Sequence, residues 1–168
     1  ITDIEVDGSN NKWLATFDSG AFYISSNGQE TIHHFTPDNS PLPTDNITDI
    51  SVDDVTGKVY FATPNGMVAF KGFATDPSDN LDNVFAYPNP VRPKYEGMLT
   101  ISGLTEKANV KITDISGNLV HEEIAQGGSI QWDMRAFGKH KVASGVYVIM
   151  VTTNEGDETT AEKVMIVR

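Results

Sequence analysis

The sequence predicts an all-β chain built from two modules in series, and three observations predict it. Apolar residues alternate with polar ones over short runs. Examples are Lys12-Trp13-Leu14-Ala15-Thr16-Phe17, Ala108-Asn109-Val110-Lys111-Ile112-Thr113 and Lys163-Val164-Met165-Ile166-Val167. Period-2 alternation with β-branched and aromatic enrichment marks strands, and helical periodicity is nearly absent. Turn dipeptides separate the runs: Asn27-Gly28, Thr56-Gly57, Asn65-Gly66, Ser102-Gly103, Gly117-Asn118, Gly127-Gly128 and Glu155-Gly156. Gly and Asn tolerate the positive φ that tight hairpins need. Finally, residues 1–20 recur as residues 47–66.

In the repeat, Ile1-Thr2-Asp3-Ile4 returns as Ile47-Thr48-Asp49-Ile50, Val6-Asp7 as Val52-Asp53, and Lys12 as Lys58. After a one-residue shift Ala15-Thr16 returns as Ala62-Thr63, and a compensating gap brings Gly20 onto Gly66, an offset of 46 residues. Each unit reads as three strands: 2–7, 12–17 and 20–26, then 48–53, 58–63 and 66–70. A period of ~40–50 residues containing several short strands is the signature of a β-propeller blade. The lead-in 39–46, rich in Pro, Asn and Asp, is a loop between blades. These residues resemble the propeller repeat of bacterial two-component regulators, common in Bacteroidetes surface and periplasmic sensors. They match it in Pro-Leu-Pro, Val-Asp, Gly-Lys, an aromatic, Ala-Thr and a Gly-containing turn. Val59-Tyr60 departs from the Trp usual there, which Trp13 keeps. Two blades cannot close a ring of ~4–8. Residues 1–72 are therefore expected to be the last blades of a larger propeller, with an open edge that needs cover and could support oligomerisation.

Residues 73–83 lack periodicity and are expected to be a linker. Tyr87-Pro88-Asn89-Pro90 then opens a second module over 84–168, because two prolines confine a segment to a sheet edge. Seven strand candidates follow in order: the opening strand, 97–102, 108–114, 118–125, 129–133, 145–153 and 159–167. That number and spacing fit a small immunoglobulin-like β-sandwich. Val146-Tyr147-Val148-Ile149-Met150-Val151 is apolar on both faces and is expected to be a central strand.

This module resembles the C-terminal sorting domain of the type IX (Por) secretion system of Bacteroidetes. The tokens that carry the resemblance occur in order: Tyr87-Pro88-Asn89-Pro90, Ile112–Val120 with its Asp114-Ile115-Ser116-Gly117-Asn118 core, Gly127-Gly128, Trp132-Asp133, Ser144-Gly145-Val146-Tyr147-Val148, and Lys163 to Arg168. A sister resemblance is to the immunoglobulin-like domain of flagellar hook-capping proteins. Met134 departs from both, which place Gly after Trp-Asp. The resemblance implies a transport label recognised by outer-membrane secretion machinery after passage through the periplasm. It also implies delivery to the cell surface or outside, with cleavage in the linker and attachment to surface lipopolysaccharide as a frequent sequel.

Structural readings stand beside these. Trp132 reads as sandwich core. Ser144-Gly145 reads as a tight lead into the central strand, where a Cβ would obstruct. Tyr147 reads as a packed ring with its hydroxyl at an edge, and Asn89 as a turn cap bonding its local backbone. Lys163 and Arg168 bracket four apolar residues. A receptor could read them with the edge strand and a terminal carboxylate by strand addition. Pro88, Asn89, Pro90, Gly145, Tyr147, Lys163 and Arg168 are thus the candidate recognition residues.

Composition bounds the chemistry. Lys plus Arg is 12 against 23 Asp plus Glu, a net charge of −11, so nucleic acid and anionic membranes are not expected partners. No run of ~18 apolar residues predicts a membrane helix, and Ile1-Thr2-Asp3-Ile4 has no basic n-region of a signal peptide. With no cysteine there is no disulfide, thiol nucleophile or thiolate metal site. His33 and His34 are strand neighbours pointing to opposite faces, which disfavours a shared metal. His121 precedes Glu122-Glu123 without completing His-Glu-x-x-His. His140 lies in a basic loop with Arg135, Lys139 and Lys141, too small a patch for nucleic acid. Asp7, Ser9, Asn11 and Asp18 have partial calcium-loop spacing, but Lys12 stands where Gly is needed and the repeat explains them as a hairpin turn. No catalytic residue, cofactor or metal is therefore assigned. The leading expectation is a non-enzymatic C-terminal part of an exported protein, with binding or scaffolding blades before a sorting module. The alternatives are an uncleaved component of the secretion or attachment apparatus that docks a partner or glycan, and the periplasmic sensor region of a hybrid two-component system.

Overall fold

A computed structural model describes residues 1–168. It contains strands and turns and no helix, and it divides into two compact units, Ile1–Asp76 and Pro77–Arg168.

In the first unit, β1 (Asp3–Val6), β2 (Lys12–Ala15), β3 (Ala21–Ile24) and β4 (Thr31–Phe35) form one antiparallel meander. β5 (Asp49–Asp53), β6 (Lys58–Thr63) and β7 (Gly66–Lys71) form a second. The sequence repeat is a repeat of pairing. Asp3 faces Ala15 as Asp49 faces Ala62, and Ile4 faces Leu14 as Ile50 faces Phe61. β4 falls outside the three-strand pattern read from the sequence and completes the first sheet as its outer strand.

The two sheets share one core. Trp13, Ala15, Ala21, Tyr23 and Phe35 of the first sheet are buried in a cluster with Ile50, Val59 and Phe61 of the second, and Leu42 and Ile47 of the connection. Trp13 stacks on Tyr23 at 4.0 Å between centroids and meets Phe35, Phe61 and Phe70 at 5.8–5.9 Å. Offset and edge-to-face aromatic contacts of this kind add to the area they bury.

One carboxylate holds the β1–β2 hairpin. Asp7 is buried, and its Oδ1 accepts from the backbone N–H groups of Ser9 and Asn11, both at 3.0 Å. Its Oδ2 accepts from the Trp13 indole at 3.2 Å. The Asn11 amide donates to the Tyr23 hydroxyl at 2.8 Å. Burial first, and the Asp7 charge second, push the Tyr23 phenol well above its ordinary value. Of the residues spaced like a partial calcium loop, Asp7, Ser9 and Asn11 thus belong to a hairpin closed on the Asp7 carboxylate, whereas Asp18 accepts from the Ser19 hydroxyl at 3.0 Å. No group of three carboxylates or imidazoles in the chain is arranged to hold a metal ion.

After β7 the chain runs back along its own unit. Asp76 donates its N–H to the Asp54 carbonyl at 2.9 Å, and Ala74 is buried. A Cβ on Gly8 would lie 2.2 Å from the Thr75 carbonyl, so only glycine lets these backbones meet. Irregular sequence over 73–83 therefore coexists with tight packing: Leu81, further along, is buried in the second unit.

The second unit has two sheets. β8 (Phe85–Tyr87), β9 (Leu99–Ser102) and β12 (Ser129–Trp132) form one, in the order β12-β9-β8. β10 (Asn109–Asp114), β11 (Leu119–Ile124), β15 (Gly145–Thr152) and β16 (Thr159–Ile166) form the other, in the order β11-β10-β15-β16. A ribbon of β13 (Arg135–Ala136) and β14 (His140–Lys141) lies between β12 and β15 in the chain, where the sequence reading placed a loop. Leu99, Ile101, Ile130 and Trp132 from the first sheet join Val110, Ile112, Ile149, Val151, Val164 and Ile166 from the second in one core. This arrangement fits an immunoglobulin-like sandwich. β15 is central, but its faces differ: Tyr147, Ile149 and Val151 are buried, and Met150 on the other face is exposed. An antiparallel sheet with one wet face explains that asymmetry.

Trp132 is buried, donates its indole N–H to the Arg135 carbonyl at 3.0 Å and meets Tyr147 edge-on at 5.9 Å. Two residues on, Met134 has φ +55° and is 2% exposed. The backbone here takes the left-handed form glycine favours, at a cost of about 1–2 kcal/mol for a side chain. The Met134 side chain offsets that cost by filling the core.

Two substitutions check these accounts. Trp13→Ala is expected to destabilise the first unit by about 3–5 kcal/mol in denaturant unfolding. Met134→Gly should relax the backbone yet still destabilise the second unit by about 1–3 kcal/mol, since losing a buried Met side chain outweighs the relief. A more stable Met134→Gly protein would show that the side chain contributes no packing.

Candidate functional site

The candidate residues converge on one element, β16. Prolines at 88 and 90 have no N–H to offer a ladder. Both peptide bonds into them, Tyr87-Pro88 and Asn89-Pro90, are cis. The side chain of Asn89 supplies what the backbone lacks. Its Nδ2 donates to the Lys163 carbonyl at 2.8 Å, and its Oδ1 accepts from the Met165 N–H at 3.1 Å. Val91 continues the seam: its N–H donates to the Met165 carbonyl at 2.8 Å and its carbonyl accepts from the Val167 N–H at 2.9 Å. The expectation of a local turn cap at Asn89 is thus corrected. The amide acts as a surrogate strand residue on backbone 74 to 76 residues away.

The same seam corrects the idea of strand addition at the end of the chain. On one side β16 pairs with β15, from Gly145↔Ile166 to Thr152↔Thr159. On the other side, the outward groups of 163–167 already bond Asn89 and Val91. An added strand would have to displace them first.

Arg168 also turns inward. Its N–H donates to Ser144 Oγ at 2.9 Å, its Nε to the Val142 carbonyl at 3.3 Å, and its Nη2 to the Met134 carbonyl at 3.5 Å. Ser144 leads directly into β15, so the final residue ties the 134–144 loop to the last strand. Lys163 is exposed on β16.

Gly145 also departs from expectation. A Cβ there would meet only Tyr147 Cε2 at 3.9 Å, an ordinary contact, and its φ is not left-handed. The lead into β15 is fixed instead by Ser144 and by Tyr147, whose hydroxyl donates to the Ala143 carbonyl at 3.0 Å. Burial raises the Tyr147 phenol, Asp114 adds to the rise, and Arg168 opposes it.

Pro88, Asn89, Pro90 and Lys163 therefore gather along one side of β16, and Gly145, Tyr147 and Arg168 at the β15–β16 end. Sequence reasoning missed Val91, Ser144 and Met134 as partners in this arrangement. The donor deficit of Pro-Asn-Pro, which calls for a side chain acting in place of backbone, is a sequence signal for the long-range role of Asn89.

The histidines form no shared site. His34 Nε2 lies 2.7 Å from the Ser19 carbonyl and its ring stacks on Phe22, whereas His33 packs on Phe35. His121 pairs with Glu123 at 3.1 Å, and His140 is exposed on β14.

Residues 85–167 match the family described as secretion system C-terminal sorting domain. Sandwich and match together define the C-terminal unit as a type IX secretion C-terminal sorting domain, which implies export to the cell surface or the extracellular space. Across both units, the chain is similar to PorZ of Porphyromonas gingivalis, described as an essential bacterial surface component of the type IX secretion system. The identity is 34% and the TM-score 0.65, over 99% of this chain and 22% of that one. The chain thus spans about a fifth of the length of PorZ. Dimeric latent PorU of the same organism aligns at 21% identity and TM-score 0.37, over 66% of this chain and 12% of that one. A biofilm-associated protein BSP domain aligns at 14% identity and TM-score 0.36, over 89% and 22%. No curated protein matches the chain.

Two variants test the arrangement, and a third tests a carboxylate of the first unit. Asn89→Ala leaves β16 backbone groups without their partner and is expected to destabilise the unit by about 1–3 kcal/mol in denaturant unfolding. Gly145→Ala is expected to keep or slightly raise stability, by up to about 1 kcal/mol, because the site accepts a Cβ. In the first unit, Asp54 is held above the usual carboxylate range by burial and then by Asp76, Asp53 and Asp7. A raised carboxyl pKa favours the fold at low pH and opposes it as the group ionises. Asp54→Asn should therefore raise the melting temperature at pH 7 and leave it unchanged near pH 3.

Proposed function

We propose that the chain is the C-terminal part of an exported, non-enzymatic surface protein. Residues 77–168 act as its type IX sorting and delivery signal, and residues 1–76 are the final repeats of a β-propeller that binds or scaffolds. The observation that carries the sorting reading is the family match over 85–167, which falls within a single compact unit. The recognised surface is the β16 side carrying Pro88, Asn89, Pro90 and Lys163, read through side chains and shape. Tyr147 and Arg168 fix the neighbouring end of that surface, where Gly145 also lies.

Support for the propeller reading comes from burial of repeat-equivalent residues. Ile47 and Ile50 are 0% and 2% exposed, while their counterparts Ile1 and Ile4 are 77% and 53% exposed. The face of the second sheet that carries Ile50 packs on the Trp13 face of the first. The corresponding face of the first sheet lacks such a cover, as expected where a preceding blade belongs.

A second reading is that of a retained component of the secretion apparatus. The observation that favours it is the similarity to PorZ, which extends across both units. In that case the sorting domain stays uncut and docks the protein to outer-membrane machinery or surface lipopolysaccharide.

A reporter preceded by a signal peptide and followed by residues 77–168, expressed in a type IX-competent host, tests the sorting reading. Surface or extracellular reporter is the expected result, and periplasmic retention would count against it. Gly145→Ala within that fusion separates recognition from folding, since the variant is expected to fold. The mass of the mature full-length protein then distinguishes cargo, cut between the units, from a component that retains Arg168.

A further inference from the structure

Three dipeptides of the first unit carry a side chain able to cyclise onto the nitrogen of a following glycine: Asp7-Gly8, Asn27-Gly28 and Asn65-Gly66. The chain has no other Asp-Gly or Asn-Gly. Glycine favours such ring closure because no Cβ crowds the approach to its nitrogen. All three dipeptides lie in turns between strands, and composition alone does not rank the two asparagines.

The fold separates them. Asp7 is buried, and its carboxylate already accepts from the Ser9 and Asn11 N–H groups and from the Trp13 indole. Its neighbour Gly8 is pressed against the Thr75 carbonyl, where a Cβ would lie 2.2 Å away. Asn27 is exposed but held. Its Oδ1 accepts from Ser25 Oγ at 2.8 Å and from the Gln29 N–H at 3.0 Å. The Gly28 N–H, the group that would have to attack, donates to the Ser25 carbonyl at 2.8 Å. At Asn65 the side chain is exposed and enters no hydrogen bond. The turn is held by Thr63 instead, whose hydroxyl accepts from the Asn65 N–H at 3.2 Å and donates to the Gly66 carbonyl at 2.7 Å. Gly66 faces Thr63 in the pair next to the turn, so opening that one pair at a loop tip frees its nitrogen.

We propose that Asn65 is a self-modification site, where the exposed amide converts to isoaspartate and aspartate while Asn27 and Asp7 stay intact. The Gly66 nitrogen gives up its proton to solvent and bonds to Asn65 Cγ. The Cγ–Nδ2 bond breaks, and the amide nitrogen leaves as ammonia. Water then opens the succinimide ring, with nothing oxidised or reduced. Opening at the side-chain carbonyl restores the original backbone and leaves aspartate. Opening at the main-chain carbonyl routes the backbone through Cβ and Cγ and leaves isoaspartate with a free α-carboxylate. Either product adds a negative charge, and isoaspartate also lengthens the short Pro64-Asn65 loop between the facing residues Thr63 and Gly66. Loop length sets the register of a hairpin, so the β6–β7 pairing loosens with it. The modification belongs to the first unit and is independent of the sorting reading for the second.

The test incubates the full chain in mildly alkaline buffer at physiological temperature and follows each site by peptide mass spectrometry. Methyl transfer by an isoaspartyl methyltransferase gives a second readout. Conversion at Asn65 is expected to run at least about tenfold faster than at Asn27, because releasing the bonds on the Asn27 amide and on Gly28 adds to the barrier there. Ser25→Ala removes one of those bonds and should speed conversion at Asn27 by about threefold. Asn65→Gln should remove the isoaspartate signal from the β6–β7 turn. Equal rates at Asn27 and Asn65 would overturn the proposal. So would isoaspartate forming at residue 7 as fast as at residue 65, or an Asn65 still intact when a free Thr-Pro-Asn-Gly-Met peptide has fully converted. These three comparisons need only the natural sequence, so they decide even if a variant fails to fold.

Discussion

A carboxylate that closes a five-residue hairpin loop is the constraint on which both units depend. Asp7-Gly8-Ser9-Asn10-Asn11 and Asp114-Ile115-Ser116-Gly117-Asn118 share the pattern Asp-x-Ser-x-Asn and the same bonds. In each, aspartate Oδ1 accepts from the backbone two and four residues on. In each, the fourth residue, Asn10 or Gly117, takes a positive φ. The loop fixes hairpin register, and register decides which face of every following residue meets the core. At Asp7 the carboxylate also receives the Trp13 indole, which couples the loop to the aromatic cluster. At Asp114 it receives the Asn118 side chain, which with the backbone donors holds the carboxyl below the usual range.

In the C-terminal unit, register is passed on to the edge. β10 pairs with β15 and β15 with β16 over long, regular ladders, and the 153–158 turn that joins β15 to β16 is itself closed by the Thr153 N–H donating to the Glu158 carbonyl at 3.0 Å. The opening Pro-Asn-Pro segment then closes the far side of β16 without any proline donor. Together these features give the unit a last strand whose outer side is bonded over 163–167. Natural sheets commonly guard their edges in this way.

Much of this was legible in sequence. The period-2 runs located all seven sandwich strands, and the 46-residue repeat located the paired meanders, because alternation and turn residues act locally. β4 was harder to read. Thr31-Ile32-His33-His34-Phe35 lies on an outer edge where four of five residues are exposed, so its hydrophobic pattern is weak. Asn89 was misread for a different reason: its partners lie on backbone far along the chain, and no local rule points to them. Gly145 looked sterically required, whereas Met134 occupies the position whose backbone does favour glycine. Sequence resemblance marks such positions but does not say whether space or φ is the cause.

The setting of Asn89 also has a chemical consequence. Spontaneous deamidation begins when the next residue's backbone nitrogen attacks the asparagine amide, and Pro90 has no N–H with which to do so. Conversion to aspartate would remove the Nδ2 donor and set a negative charge against the Lys163 carbonyl. The following proline therefore shields this clasp from the slow ageing reaction to which an exposed asparagine is prone, a useful property in any protein that persists outside the cell.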